Sequence, residues 1–372
     1  MMNYKETLFF IAKCLTISLE KNNREDIESQ LKKNQVNWEQ VVQISTAHYV
    51  FPALYCNLKR ANFLHYLPED LVEYMQHITD LNRERNQQII EQAKEVNLLL
   101  LANNITPIFL KGTGNLLEGL YQDIAERMVG DIDFIVEKQF YDTAYQVLKE
   151  NGYVNVSKED YSFPQFKHQP RLCKDDKIAA LEVHKELLLE KYADEFNYNF
   201  IIKDTVNAEN GIKLLSFSNQ LCLSIFATQI NDDGIYFKTI ALRNAYDVFL
   251  LSKKTATLQA IHKFDKLFNP LNNYLAICNI VFNEIDSLKF EETEDSKNHL
   301  LSFDKNITDL KYAKNKSKKT SQLLFIKTRL NIIKTSLSNK EYRTWLLKRI
   351  TDKDWQNQKM IQLGFKNPKK ES

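Results

Sequence analysis

The stretch "GDIDFIVE", residues 130–137, sets Asp131 and Asp133 two positions apart at the head of an apolar run. On a strand, residues two apart face the same way, so these carboxylates stand side by side while Ile132, Phe134, Ile135 and Val136 supply packing. Like charges held this close need a proton, full solvation or a cation. The cation reading makes the pair a candidate metal site. Upstream, "FLKGTG" ends a short apolar run in Gly112 and Gly114, a turn whose backbone amides can hold a phosphate. The P-loop pattern is absent. Downstream, "ALEVH" places Glu182 between apolar Leu181 and Val183 on an expected strand, sharing a face with His184. A third carboxylate beside the aspartate pair completes a two-metal arrangement.

Other acid-x-acid triplets occur at Asp26/Glu28, Glu284/Asp286, Glu292/Glu294 and Asp352/Asp354. Their surroundings are helical or polar, and helical residues two apart diverge, so they do not share an ion readily. The seven histidines form no HExxH pattern and the five cysteines no CxxC pair. Carboxylates are therefore the clustered ligands, and oxygen donors favour magnesium or manganese. The cysteines read as reduced fillers.

These residues need an α/β frame. Residues 1–102 carry apolar positions at helical spacing, a long example being "EDLVEYMQHITDLNRERNQQIIEQAKEVNLLLLANN". From 103 to 205 short strands alternate with helices. In order they are "ITPIFLKGTGN", a helical "LLEGLYQDIAERM", the strand "DIDFIV", a helix "EKQFYDTAYQVLKENG" and the strands "YVNVS", "FPQFKHQPRLCKD" and "KIAALEVHKELL". The segment 206–290 reads as helical again. Residues 291–372 read as a polar, loop-like linker followed by a basic helical part with a frayed end.

The order of these signals resembles a known family. KG, an arginine before "GDIDFIV", a helix with "NGY", then "LEVH" is similar to the bacterial uncharacterised nucleotidyltransferases of the polymerase-β-like superfamily. The resemblance covers about residues 103–190 and extends loosely into the flanks, including "LRNAYDVFLL". It implies an α/β (α+β) fold, a small mixed-sheet core flanked by N- and C-terminal helical regions. By position, Asp131, Asp133 and Glu182 would ligate Mg2+ or Mn2+, and Glu182 would help activate an acceptor hydroxyl. Lys111, Gly112, Thr113 and Arg127 would bind the nucleoside triphosphate. Thr113 stands where the superfamily often has serine. The acceptor is undefined: small molecule, protein or RNA.

Bland readings stand beside these. Lys111 is equally a surface lysine, and Arg127 a partner for Asp131 or a neighbouring acid. His184 packs or caps. Arg243 and Asp247, four apart on a helix, read as a surface ion pair. Two rival functions remain: a catalytically inactive nucleotide-binding or scaffold module of the same fold, and a nucleic-acid-binding protein. The second rests on charge. The whole chain carries only +2, yet from Lys311 onward seventeen lysines and arginines face four acids, which leaves a nucleic-acid contact through 311–372 open. No stretch has the length of apolar residues a membrane span needs, and acidic Glu6 precedes the apolar N-terminal run, so the expected location is the cytoplasm.

Overall fold

The computed structural model describes residues 2–156, 167–363 and 365–366. Five helices come first: α1 (Tyr4–Cys14), α2 (Lys21–Lys32), α3 (Trp38–Ala47), α4 (Phe51–Arg60) and α5 (Glu69–Ala102). Their starts follow from local chemistry. Asn3 and Glu6 form a capping box, Asn37 caps α3, and Pro52 occupies the first turn of α4. In α5 the buried positions recur at helical spacing, but many are amides rather than aliphatics: Asn82, Asn86, Gln92 and Asn97.

The α/β part follows as β1 (Ile108–Phe109), α6 (Lys111–Leu117), β2 (Asp131–Ile135), α7 (Tyr141–Glu150), β3 (Val154–Asn155), β4 (Leu172–Cys173), β5 (Ala180–His184), α8 (Tyr198–Ile201), β6 (Thr205–Asn207) and β7 (Lys213–Leu215). The seven strands form one mixed sheet in the order β3-β4-β5-β2-β1-β7-β6. The central β2 and β5 run parallel, β1 pairs antiparallel with β2, and β7 pairs parallel with β1. Ile132, Phe134, Leu181 and Val183 are fully or almost fully buried, and the rings of Phe109 and Phe134 pack 5.9 Å apart. Apolar side chains on one face of β2 and β5 thus anchor the strands whose other face carries the carboxylates.

The buried amides of α5 explain how that sheet is held. Asn86 donates to the carbonyls of Ile124 and Arg127, Asn82 to those of Ala125 and Arg127, and Gln92 exchanges both backbone bonds with Ala179. One helix face satisfies the loops that lead into β2 and β5, where backbone groups would otherwise be buried without partners.

The remainder is helical: α9 (Phe217–Phe226), a π-turn over Ala227–Asn231, α10 (Gly234–Phe237), α11 (Leu242–Ser252), α12 (Thr257–Ile261), α13 (Phe268–Val281), α14 (Glu294–Thr308), α15 (Leu310–Ser338), α16 (Lys340–Thr351) and α17 (Lys353–Gln362). Among the described residues no helix is long and apolar enough to cross a membrane.

Several expectations need correction. The expected helix over "LLEGLYQDIAERM" instead begins at Lys111 and stops at Leu117. Gly119, at φ +71°, lets Leu120 N–H return to Asn115 C=O and closes the helix end. The segment from 206 is not wholly helical, because β6 and β7 form a hairpin around Asn210 and Gly211, both with positive φ. Strands of three residues carry too little alternation to read. The linker after 291 is helical from Glu294. Thr293 and Ser296 make a capping box there, and Ser296, His299, Phe303, Asn306 and Ile307 bury one face. Polar side chains on that face hide its period. In the expected strand "FPQFKHQPRLCKD", residues 163–166 lie outside the described residues; beyond them His168 bridges to His184 and β4 follows.

Candidate active site

Parallel pairing sets Asp133 opposite Glu182, Asp131 opposite Ala180 and Ile135 opposite His184. Side chains in register share a face, so Asp131, Asp133, Glu182 and His184 project together. Asp133, Glu182 and His184 are buried and place ligand atoms within 4.8 Å of one another. His184 Nε2 lies 2.9 Å from Asp133 Oδ1 and 3.3 Å from Glu182 Oε2. Asp131 is half-buried at the rim, outside that tight group but linked to it through Arg171.

Two basic side chains neutralise this face. Lys111 Nζ is 2.5 Å from Asp133 Oδ1 and 3.9 Å from Glu182 Oε2. Arg171 donates through Nε to Glu182 at 2.5 Å and through a terminal nitrogen to Asp131 at 2.8 Å. Compensation is incomplete. Burial, then the charges of Asp133 and Glu182, pushes the Asp131 carboxyl up to about 6. Burial opposes ionisation of Asp133 too, yet Lys111 and the His184 bond hold its carboxyl well below the usual range. The cluster itself is anionic, three carboxylates against Lys111 and Arg171, with the His184 imidazole among its oxygens. That donor set fits a hard divalent cation such as magnesium or manganese.

The glycine turn lies beside it. Lys111 opens α6 at φ +52°, an unusual conformation for a side chain of this size, and thereby aims its ammonium at Asp133. Gly112 and Gly114 permit close approach. A Cβ on Gly112 would sit 2.9 Å from a Val129 methyl and 3.6 Å from the Arg127 guanidinium carbon, and one on Gly114 would sit 2.9 Å from the Phe109 carbonyl oxygen. The hydroxyl of Thr113 is buried and donates to the Asp131 carbonyl at 3.0 Å, tying the turn to β2. Arg127 is buried, and its Nε lies 3.0 Å from each carboxylate oxygen of Asp247. Asp247 also accepts from Tyr121 Oη at 2.7 Å. The expected surface pair of Arg243 with Asp247 is therefore corrected: α11 turns Asp247 inward, where the Arg127 charge holds it, and Arg243 stacks over Tyr49 instead.

Lys111, Gly112, Arg127, Asp131, Asp133, Arg171, Glu182 and Arg243 line one open cleft of about 330 Å³. Of the residues singled out from sequence, Lys111, Gly112, Arg127, Asp131, Asp133 and Glu182 line it and Thr113 does not, while Lys167, His168, Arg171, Asn231, Asp232 and Arg243 were missed as site residues. Lys167 and Arg171 fall at alternate positions of "KHQPR", a two-residue period beside "ALEVH" that was there to be read. Asn231 ends the π-turn and Asp232 follows it; such an element frequently marks a functional site and carries no clear sequence signature.

A family profile described as "Uncharacterised nucleotidyltransferase" matches residues 34–283. The chain belongs to this family. The match takes in helices α3 to α5, of which α5 braces the sheet, as well as the strands that carry the carboxylates, and extends well beyond residues 103–190. Among solved structures, the crystal structure of JHP933 from Helicobacter pylori is similar at 16% identity and a TM-score of 0.30, covering 68% of this chain and 97% of that one. No curated protein matches the chain.

Proposed function

We propose that this nucleotidyltransferase-family protein is a divalent-metal-dependent enzyme that moves a nucleoside monophosphate from a nucleoside triphosphate to an acceptor. The observation that carries the reading is the register of Asp133 with Glu182, with Asp131 on the same face, beside the Gly112 turn. Asp131, Asp133 and Glu182 would hold the ions, with His184 beside them. Bound there, magnesium or manganese would neutralise charge developing on the phosphoryl oxygens.

The chain's own groups account for the rest. The Lys111–Gly112 turn and the cations Lys167, Arg171 and Arg243 at the cleft offer partners for a triphosphate. Glu182 takes the proton of the acceptor hydroxyl as its oxygen attacks the α-phosphorus. The bond from that phosphorus to the bridging oxygen breaks, and pyrophosphate leaves. The acceptor is a small molecule, a protein or RNA. Five free cysteines, four of them buried, suit a reducing compartment and the cytoplasmic location expected from sequence.

A second reading is favoured by one observation. Lys111 and Arg171 already bridge the carboxylates, as they would in a relative that kept the fold as a nucleotide-binding or scaffold module without transfer. The two separate in one experiment: labelled triphosphates, magnesium and a cell extract, with wild type beside Asp131→Ala/Asp133→Ala. Transfer of label and release of pyrophosphate, both lost in the variant, are expected. Nucleotide binding that persists without magnesium, with no pyrophosphate from any acceptor pool, would replace this reading with the module.

A further inference from the structure

Helix α15 has eight lysines and arginines and no acidic residue in its 29 positions. Its second half nevertheless presents Leu323, Ile326, Leu330, Ile333 and Leu337 to solvent, at exposures of 68, 49, 62, 49 and 78%. The intervals are three, four, three and four. A period of 3.5 places all five in one narrow seam about 21 Å long, the geometry by which one helix accepts the side chains of another.

The other flank of the seam, its g side, already packs against α16 and α17. Ile332 and Ser336 are buried, and Arg329 stacks among Trp345 of α16, Trp355 of α17 and Phe325. The exposed seam is thus additional to the contact that holds α15 in place. With Leu323 as position a and Ile326 as d, Lys327 and Lys334 take the e positions that flank the seam, and both are exposed. The same phase meets Lys319 before the apolar run. Lysine bounds the seam at its N-terminal end and along one side.

This charge pattern selects the occupant. A second copy of the chain would set lysine against lysine, because α15 has no acid to offer. A bilayer surface takes up a broad apolar face, whereas this seam is two residues wide. Nucleic acid answers the lysines but leaves five large aliphatic side chains in water. We infer that the α15 seam is a docking site for an amphipathic helix of a partner protein, apolar at the same three-four spacing and flanked by aspartate or glutamate.

The test uses the full chain and a synthetic peptide of about three heptads with leucine at a and d and glutamate at e and g, beside a twin with lysine at e and g. Micromolar binding of the acidic peptide is expected, weakening as salt rises, with no binding of the lysine twin. Leu330→Asp weakens binding by about tenfold or more, and Lys327→Glu/Lys334→Glu reverses the preference between the peptides. All these positions are exposed, so circular dichroism should be unchanged in each variant. Failure of the acidic peptide to bind, binding indifferent to these substitutions, seam-dependent dimerisation, or capture by anionic vesicles in place of the peptide would each overturn the assignment. Label transfer by the active site is measured on the same samples and is expected to be unaffected, which separates this site from the catalytic reading.

Discussion

Arg171 joins Glu182 to Asp131, donating to one carboxylate at 2.5 Å and to the other at 2.8 Å. A guanidinium therefore occupies the position between two acids where a divalent ion would be held. A divalent ion held by Asp131 and Glu182, as proposed above, would compete with the arginine for the same oxygens, and the arginine would be the weaker neutraliser because it brings one charge.

The competition is measurable. Without Arg171 the acids on β2 and β5 repel each other with only Lys111 between them, so Arg171→Ala should lower the melting temperature of the metal-free protein by several degrees. Magnesium should then raise that temperature more in the variant than in wild type, since binding to the native state alone stabilises it and a competitor has gone. An equal magnesium-induced rise in both proteins would show that Arg171 and the ion do not share ligands.

Gly112 makes a prediction with a built-in rescue. Its missing Cβ leaves 2.9 Å to a Val129 methyl, and that methyl is side chain rather than backbone. Gly112→Ala should cost about 1–3 kcal/mol by overpacking and raise the KM for the triphosphate by displacing the turn. Gly112→Ala/Val129→Ala should recover much of the stability, and a denaturant-melt double-mutant cycle reads the coupling. Independent, additive effects would remove the close approach as the reason for glycine.

Two histidines outside the cleft make stability fall in acid. His48 accepts the Leu242 N–H through Nδ1 at 3.3 Å, and burial pushes its pKa down to about 4 from the ordinary 6.5. His299, on α14, is also pushed down to about 4, first by burial and then by Lys238 and Lys316, with Asp295 acting against them. Unfolded imidazoles bind protons below about 6.5 while these folded ones resist until about 4. Their stabilisation is complete above pH 6.5 and is lost progressively as pH falls toward 4, by up to about 3 kcal/mol for each histidine. Urea melts of wild type and His48→Gln compared across that window should differ by the loss His48 carries, because Asp131, raised to about 6 and of opposite sign, contributes equally to both. A slope unchanged in the variant would exclude His48 as a source.

The carboxylates were legible in sequence because strand alternation survives in five residues: "DIDFI" and "ALEVH" each show polar positions two apart between aliphatics. Their mutual register was not, since nothing local encodes that Asp133 meets Glu182, 49 positions further along the chain. Lys111 and Gly112 were found by the glycine turn, but the onset of α6 at Lys111 was missed because glycine is a poor helix former and tertiary packing overrode the propensity. α14 was hidden for the opposite reason, its buried side being partly Ser, His and Asn rather than wholly aliphatic. Asp247 misled because helical spacing offers Arg243 as a partner, while the actual partner, Arg127, lies 120 residues away.

That buried pair supplies the sharpest test of Arg127. Asp247 is almost fully enclosed, and the Arg127 guanidinium also donates to the Met128 carbonyl at 2.8 Å. Removing the acid leaves a buried cation alone, so Asp247→Ala should destabilise the fold by about 3–5 kcal/mol. Replacing both, as Arg127→Met/Asp247→Leu, should cost clearly less, because the desolvated charge goes with its partner. The double variant then isolates nucleotide binding from folding. If Arg127 also contacts the triphosphate, as the family resemblance implies, the double variant melts near wild type yet binds triphosphate markedly more weakly. Unchanged triphosphate affinity in a folded double variant would confine Arg127 to holding the loop before β2 against α11.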